Sequence, residues 1–206
     1  RHSRFQVLFE DHPLVHVEWS QIGRQNALNA TSAIALAHRL GWPMAKVREA
    51  LQTFKGVKRR QEILGEPRGV LVIDDFAHHP TAVKETIASV KQAYGGKSLF
   101  AVFEPRSATS RRKIFQREYV QAFQEAEHIL LAQPFDQSRI DATDRFSVDQ
   151  LAADLCASGK KAAAFAGADA IVKELAQKCR SGDVVLIMSN GGFDGIYGKL
   201  LKALDS

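Results

Sequence analysis

Four apolar residues, Val70 to Ile73, run without interruption and end in two acids, two imidazoles and a proline: Val70-Leu-Val-Ile-Asp-Asp-Phe-Ala-His-His-Pro-Thr81. A short run apolar at every position predicts a central strand covered on both faces. From Pro80 the period changes. Val83, Ile87, Val90 and Tyr94 recur at helical spacing, and a proline suits a first helical turn, where its missing N–H costs little. Asp74, Asp75, His78 and His79 are thereby placed between the carboxyl end of a strand and the start of a helix. In an open α/β sheet ligands bind there, and the helix end offers N–H groups and partial positive charge to a phosphate. A capped turn in which an acid satisfies backbone donors would give the same local pattern.

The alternation continues downstream. Strands are predicted at 98–103, 128–132, 161–165 and 183–188, and helices at 112–126, 147–155, 168–179 and 195–204. Ser147-Val-Asp-Gln150 has the form of a capping box, and Ile171, Leu175 and Cys179 share one helix face. Repeated βα units of this length predict a doubly wound, mostly parallel sheet with right-handed crossovers, an α/β fold. Upstream, 5–9 and 13–19 read as a hairpin around Asp11-His12-Pro13, for Val15, Val17 and Trp19 alternate with more polar neighbours. A helix follows with Ala30, Ile34, Ala37 and Leu40 inward, Asn26 as its N-cap and Gly41 as its stop. Pro43 opens a second helix with Met44, Val47, Leu51 and Phe54 inward, ended by Gly56. A hairpin and two helices cannot close a core at about 55 residues. Residues 1–56 are therefore expected to be part of one domain and 57–206 a second.

The chain has 206 residues, of which 45% are hydrophobic, enough for a substantial core. No apolar run approaches the roughly 18 residues of a membrane span, and the opening Arg1-His-Ser-Arg lacks the apolar region of a signal peptide. A cytoplasmic protein without a membrane partner is expected. Cys156 and Cys179 fall in amphipathic helical patterns away from metal-ligand neighbours and read as buried free thiols. The net charge of +5 suits anionic partners. Basic residues cluster at 55–60 and 106–117 rather than along one aromatic-studded face, which favours phosphate or carboxylate ligands over nucleic acid.

If the strand ends share one rim, it gathers Asp75 and His78 from the first strand of the alternating series, Glu104, Arg106 and Ser107 from the second, Asp136 from the third, and Ser189-Asn-Gly-Gly192 from the last. Arg106 could grip a carboxylate at two points, or pair with Glu104. Asn190-Gly-Gly192 could be an anion nest or a tight turn. Tyr94-Gly-Gly-Lys-Ser98 ends like a Walker loop, but Lys91 stands where its first glycine belongs and a strand follows. Adjacent His78 and His79 seldom aim at one ion, so no metal site is expected and His79 reads as structural support.

Three motifs in order, Gly23-x-Gln-Asn26-x-x-Asn29, Gly56-Val-Lys-Arg-Arg60 and Asp75-Phe-Ala-His78-His-Pro80, resemble the ATP-dependent Mur ligases. Phe103-Glu-Pro-Arg-Ser107 and Met188-Ser-Asn-Gly-Gly-Phe193 look like the peptidoglycan-recycling branch, which joins the murein tripeptide L-Ala-γ-D-Glu-meso-diaminopimelate to UDP-N-acetylmuramate. The resemblance covers nearly the whole chain. It implies the end of a central ATPase domain followed by a Rossmann-like C-terminal domain. It also implies a reaction in which ATP, with Mg2+, phosphorylates the muramate carboxylate and the incoming amine displaces phosphate. The phosphate loop and metal ligands would belong to the rest of the central domain, so these residues alone are expected to be inactive. By resemblance, Asn26 and Asn29 contact adenine, Arg60 the phosphates and Asp75 the ribose hydroxyls, while His78 faces the reacting centre. Glu104, Arg106, Ser107 and Asp136 are implied at the tripeptide. Gln25 stands where many members have histidine. The ligase that adds L-alanine to UDP-N-acetylmuramate is the neighbouring enzyme reading. A noncatalytic nucleotide-binding or interaction module is the reading from another class, since a fold does not fix a function.

Overall fold

The structure, a computed structural model, describes residues 3–205; Arg1 and His2, at the opening read for a leader, and Ser206 lie outside the described residues. The chain divides into two compact units, one ending at Lys58 and the other starting at Arg59.

The first unit is a hairpin and two helices. Strands β1 (Ser3–Phe9) and β2 (His12–Trp19) pair antiparallel. Glu10 and Asp11, both at positive φ (48° and 62°), make the two-residue turn whose twist matches that of the strands. Helices α1 (Arg24–Arg39) and α2 (Met44–Thr53) follow, and Val7, Val15, Val17, Trp19, Ala30 and Ile34 form the core. Several details differ from the sequence reading. The second helix ends at Thr53 rather than at Gly56, because Phe54 turns to extended backbone, and Phe54 is 41% exposed rather than inward. Asn26 is not the N-cap: the helix begins at Arg24, Gly23 takes the cap position at φ 84°, and the Asn26 amide donates back to the Ile22 carbonyl at 2.8 Å. Leu40 leaves the apolar stripe because the helix ends at Arg39, and its side chain is exposed.

The second unit is a six-stranded sheet in the order β3-β4-β8-β5-β6-β7. Its strands are β3 (Glu62–Gly65), β4 (Leu71–Asp75), β5 (Leu99–Phe103), β6 (His128–Ala132), β7 (Lys161–Phe165) and β8 (Val184–Met188). All neighbours are parallel except β3, which pairs antiparallel with β4. Its helices are α3 (Pro80–Ala93), α4 (Gln116–Ala122), α5 (Val148–Ala157), α6 (Ala168–Lys178) and α7 (Ile196–Asp205). Because side chains alternate between sheet faces, Val72, Phe100, Val102, Leu130, Val185 and Ile187 share one face with α6 and α7. Phe103, of opposite parity, packs on Tyr119 and Phe123 of and beside α4.

The edge strand β3 was not foreseen, being four residues long and defined by its pairing with β4 rather than by its own pattern. The helix expected over 112–126 is shorter. Lys113–Phe115 form a 3-10 turn, and Phe115, held edge-on against His79 at 4.6 Å, breaks from helical geometry before α4 starts. Only half of the capping box forms. Ser147 Oγ accepts from the Gln150 N–H, but the Gln150 amide turns to Asp154 and the Ser147 N–H donates to Gln116 instead. Cys179 is buried as expected, its thiol pushed up to about 12 by burial, whereas Cys156, in the last turn of α5 with its Sγ 3.3 Å from the Ala162 carbonyl of the edge strand β7, is exposed.

Candidate functional site at the carboxyl ends of the sheet

Backbone hydrogen bonds link the strand ends into one edge. The Ser189 N–H donates to the Asp75 carbonyl at 3.2 Å, the Glu104 N–H to the Met188 carbonyl at 3.1 Å, and the Phe135 N–H to the Pro105 carbonyl at 3.2 Å. The loops that follow β4, β8, β5 and β6 are therefore neighbours in that order, and Asp75, His78, Glu104, Arg106, Ser107 and Asp136 lie in or beside them. β8, last in sequence, sits between β4 and β5. This insertion, where the chain reverses its course across the sheet, is the arrangement that opens a crevice at the strand ends.

Asp74 and Asp75 point to opposite faces. Asp75 is 4% exposed. Its Oδ1 accepts from the Ala77 N–H at 2.7 Å and from Thr86 Oγ1 at 3.4 Å, and its Oδ2 from the Gln61 N–H at 2.9 Å. It ties the loop after β4, the start of β3 and α3 together. Burial raises its pKa, and the Ala77 and Gln61 N–H groups only partly offset that. Asp74 is raised for the same reason, against the lowering effect of Arg59.

Arg59 is the residue that sequence reasoning missed. In a run of five charges at 55, 58, 59, 60 and 62 nothing distinguishes it from its neighbours. In the structure its Nε donates to Asp74 Oδ2 at 3.2 Å and its Nη2 reaches the Ser189 carbonyl (2.5 Å), the Gly191 carbonyl (2.9 Å) and the Tyr197 hydroxyl (2.9 Å). It straps β4, the loop after β8 and α7 to one another. Arg60 is the exposed member of the pair, its guanidinium 5.4 Å from the centre of the Phe76 ring and close enough to Asp75 to lower that acid's pKa. Arg60 is open to solvent, whereas the Arg59 guanidinium is taken up by Asp74, two carbonyls and a hydroxyl.

His78 is half-buried, with Nδ1 3.0 Å from the Phe76 carbonyl. A carbonyl only accepts, so Nδ1 carries a proton, and in the neutral ring Nε2 holds the lone pair. The His78 carbonyl accepts from the Tyr119 hydroxyl at 2.5 Å, which fixes the loop to α4. His79 caps α3, accepting from the Thr81 N–H at 3.4 Å.

Glu104 is 4% exposed and engaged on both oxygens, by Ser189 Oγ at 2.5 Å and by Arg106 Nη1 at 3.4 Å. It supports the rim from within. Arg106 keeps 28% of its side chain exposed and lies 3.8 Å from the centre of the Phe135 ring. Ser107 Oγ closes its own turn, accepting from the Ser110 N–H at 3.0 Å. Asp136, at φ 30°, is exposed; its carboxylate accepts from the Ser138 N–H at 2.8 Å, and hydrogen bonds within that turn lower its pKa. Asn190-Gly-Gly192 is a turn whose Ser189 and Gly191 carbonyls are bound by Arg59, so those carbonyls face a cation rather than an anion.

Asn26 and Asn29 belong to the first unit. They border an apolar cavity of about 590 Å³ that Trp19, Trp42, Leu51 and Phe54 also line, and the Asn29 carbonyl oxygen accepts from the Gln25 amide at 3.2 Å.

The sequence matches the family model described as "Mur ligase, glutamate ligase domain" over residues 59–191. It is 34% identical over 98% of its length to the UDP-N-acetylmuramate--L-alanyl-gamma-D-glutamyl-meso-2,6-diaminoheptandioate ligase of Escherichia coli K12. The chain belongs to the Mur ligase family. This Mur ligase chain is also 35% identical, over 82% of its length, to a UDP-N-acetylmuramate--L-alanine ligase of Desulfitobacterium hafniense. The crystal structure of a murein peptide ligase from Psychrobacter arcticus superposes with a TM-score of 0.70 at 34% identity, covering 99% of the chain. A UDP-N-acetylmuramate-alanine ligase from Thermotoga maritima shares the fold at a TM-score of 0.81 and 22% identity. The chain spans about two fifths of the curated relatives it matches, 42% of the E. coli protein and 37% of the D. hafniense one. Among the described residues no helix is long and apolar enough to cross a membrane.

Proposed function

We propose that this chain is the carboxyl-terminal part of an ATP-dependent ligase that joins L-Ala-γ-D-Glu-meso-diaminopimelate to UDP-N-acetylmuramate through an acyl phosphate. The observation that carries the reading is the 34% identity, over 98% of the chain, to the E. coli protein bearing that peptide in its name. In this reading residues 1–56 end a central ATPase domain and 57–206 form the domain that presents the amine.

ATP phosphorylates the muramate carboxylate; the peptide amine then attacks the acyl carbon, the C–O bond to phosphate breaks, and an amide remains. The amine must lose a proton, and the Nε2 lone pair of His78 is the acceptor we assign to it. Arg60 and the start of α3 stabilise negative charge on the phosphoryl group. Asn26 and Asn29 meet adenine. Asp75 reaches the ribose hydroxyls once the Gln61 N–H releases Oδ2. Arg106, Ser107 and Asp136 take the charged groups of the tripeptide, and Glu104 acts through Arg106. Mg2+ would accompany ATP, but the described residues include no group of three or more His, Cys, Asp or Glu that could hold it, so no step on this chain is routed through the metal.

The second reading is the L-alanine-adding ligase, which the 35% identity to the D. hafniense protein favours. Titration calorimetry of the chain with the tripeptide and with L-alanine separates the two. Heat with the tripeptide alone supports the first reading, and heat with L-alanine alone replaces it by the second. Phosphate release from ATP by these 206 residues, without further chain, would refute the division of labour proposed here.

A further inference from the structure

Arg106 is held on three sides by groups that leave one edge of its guanidinium open. One flat face lies 3.8 Å from the centre of the Phe135 ring. On another side the side chain crosses Gly191 so closely that a Cβ there would stand 1.9 Å from Cδ, 2.2 Å from Nε and 2.8 Å from Cζ. Nη1 is tied to Glu104 at 3.4 Å. Each clamp is itself fixed. Phe135 is anchored by its N–H to the Pro105 carbonyl, and Gly191 by its N–H to Ser189 Oγ at 2.9 Å and by its carbonyl to Arg59. Phe135 remains 48% exposed, a large apolar ring kept at a charged rim.

We propose that Phe135 and Gly191 are specificity-determining residues: they clamp the Arg106 guanidinium so that its free edge accepts a peptide carboxylate. The proposal rests on the reading of this rim as the amine-substrate site. A planar fork fixed in orientation meets a carboxylate with two parallel N–H···O bonds. It gains nothing comparable from a neutral amide or a methyl side chain, and a loosely held arginine would lose entropy on ordering that this one has already lost. Neither residue need touch the ligand; they are positioning residues for Arg106. Gly191 is not at positive φ, so its lack of a side chain serves the room Arg106 occupies rather than backbone conformation.

The test is calorimetry on the 206-residue chain with the tripeptide, with the same tripeptide carrying amidated carboxylates, and with L-alanine. Variants are Gly191→Ala, Phe135→Leu and Phe135→Tyr, each checked for an unchanged melting temperature. The unsubstituted chain is expected to prefer the free tripeptide over the amidated one by at least about tenfold. Gly191→Ala and Phe135→Leu should abolish most of that preference while leaving amidated-peptide affinity within about twofold, and Phe135→Tyr, which keeps the stacked ring, should retain it. Tripeptide binding that the variants leave unchanged overturns the inference and spares the site reading. An equal loss for both peptides, or a melting temperature that falls with the loss, also overturns it, since the damage is then general. No binding of either peptide by the unsubstituted chain removes the site reading itself, and the inference with it.

Discussion

The two ends of the same parallel strands treat charge in opposite ways. At the carboxyl ends Asp74, Asp75 and Glu104 are each 4% exposed, and they are held by Arg59, Arg106 and backbone donors drawn from several loops. At the amino ends the ionic contacts are more open. Glu127, with 42% of its side chain exposed, pairs with Lys91 and accepts from the Leu99 N–H, and Lys178 pairs with Glu174 one helical turn away at the surface. His128 stacks flat on Phe100 at 4.2 Å and is pushed down in pKa, first by burial and then by Lys161 and Lys178. Surface pairs add little to stability, and buried ones seldom repay the loss of hydration. Buried charge concentrated at one end of the sheet is thus poorly explained by folding, and it agrees with the site proposed there.

The largest expected effect, and the sharpest way to break this comparison, is at the strap. Arg59→Ala leaves the Asp74 carboxylate buried without its cation and frees two carbonyls. It should cost roughly 3 kcal/mol in urea denaturation, at the low end for a buried pair because the arginine keeps some solvent contact. Asp75→Ala should follow at about 2 kcal/mol, since two backbone N–H groups lose their acceptor. The comparison sharpens with pH. Burial raises the folded pKa of Asp74 and Asp75 above their unfolded value near 3.8. Their contribution is therefore fullest below that value and falls as pH rises through the folded pKa. For Glu127, burial pushes upward but the Lys91 and Leu99 contacts outweigh it, and the net pKa is lowered. Its contribution is present above the unfolded value and disappears as pH falls through the folded one. Denaturation across the acid range should show Asp74→Asn making the stability gained on acidification smaller, and Glu127→Gln doing the reverse. The smallest effect is Glu127→Gln at neutral pH, under about 1 kcal/mol. A cost there equal to that of Arg59→Ala would erase the distinction between the two ends.

Much of the frame was legible from residues 70–81 onward. Apolar runs gave the five parallel strands, and Pro80 marked the start of α3 to the residue. The rim also followed, because the carboxyl end of a strand can be read wherever the strand can. What escaped depended on partners far along the chain. β3 exists through its pairing with β4, and the expected 112–126 helix was cut short where Phe115 met His79. Asn26, a good capping residue by type, lost that position to Gly23.

The sequence by itself determined the elements, because hydrophobic periodicity and turn residues act within a few positions. It also determined which polar residues end each strand. Only the tertiary structure decided that β8 lies between β4 and β5, that Arg59 rather than Arg60 is the buried strap, and that Phe135 and Gly191 confine Arg106. Those outcomes depend on which loops become neighbours, and loops 30 to 130 residues apart, such as those of Arg59 and Ser189, meet only once the sheet has assembled. A guanidinium in a charge run carries no local mark of whether it will find solvent or a ring of carbonyls. That is set by desolvation and geometry in the folded state.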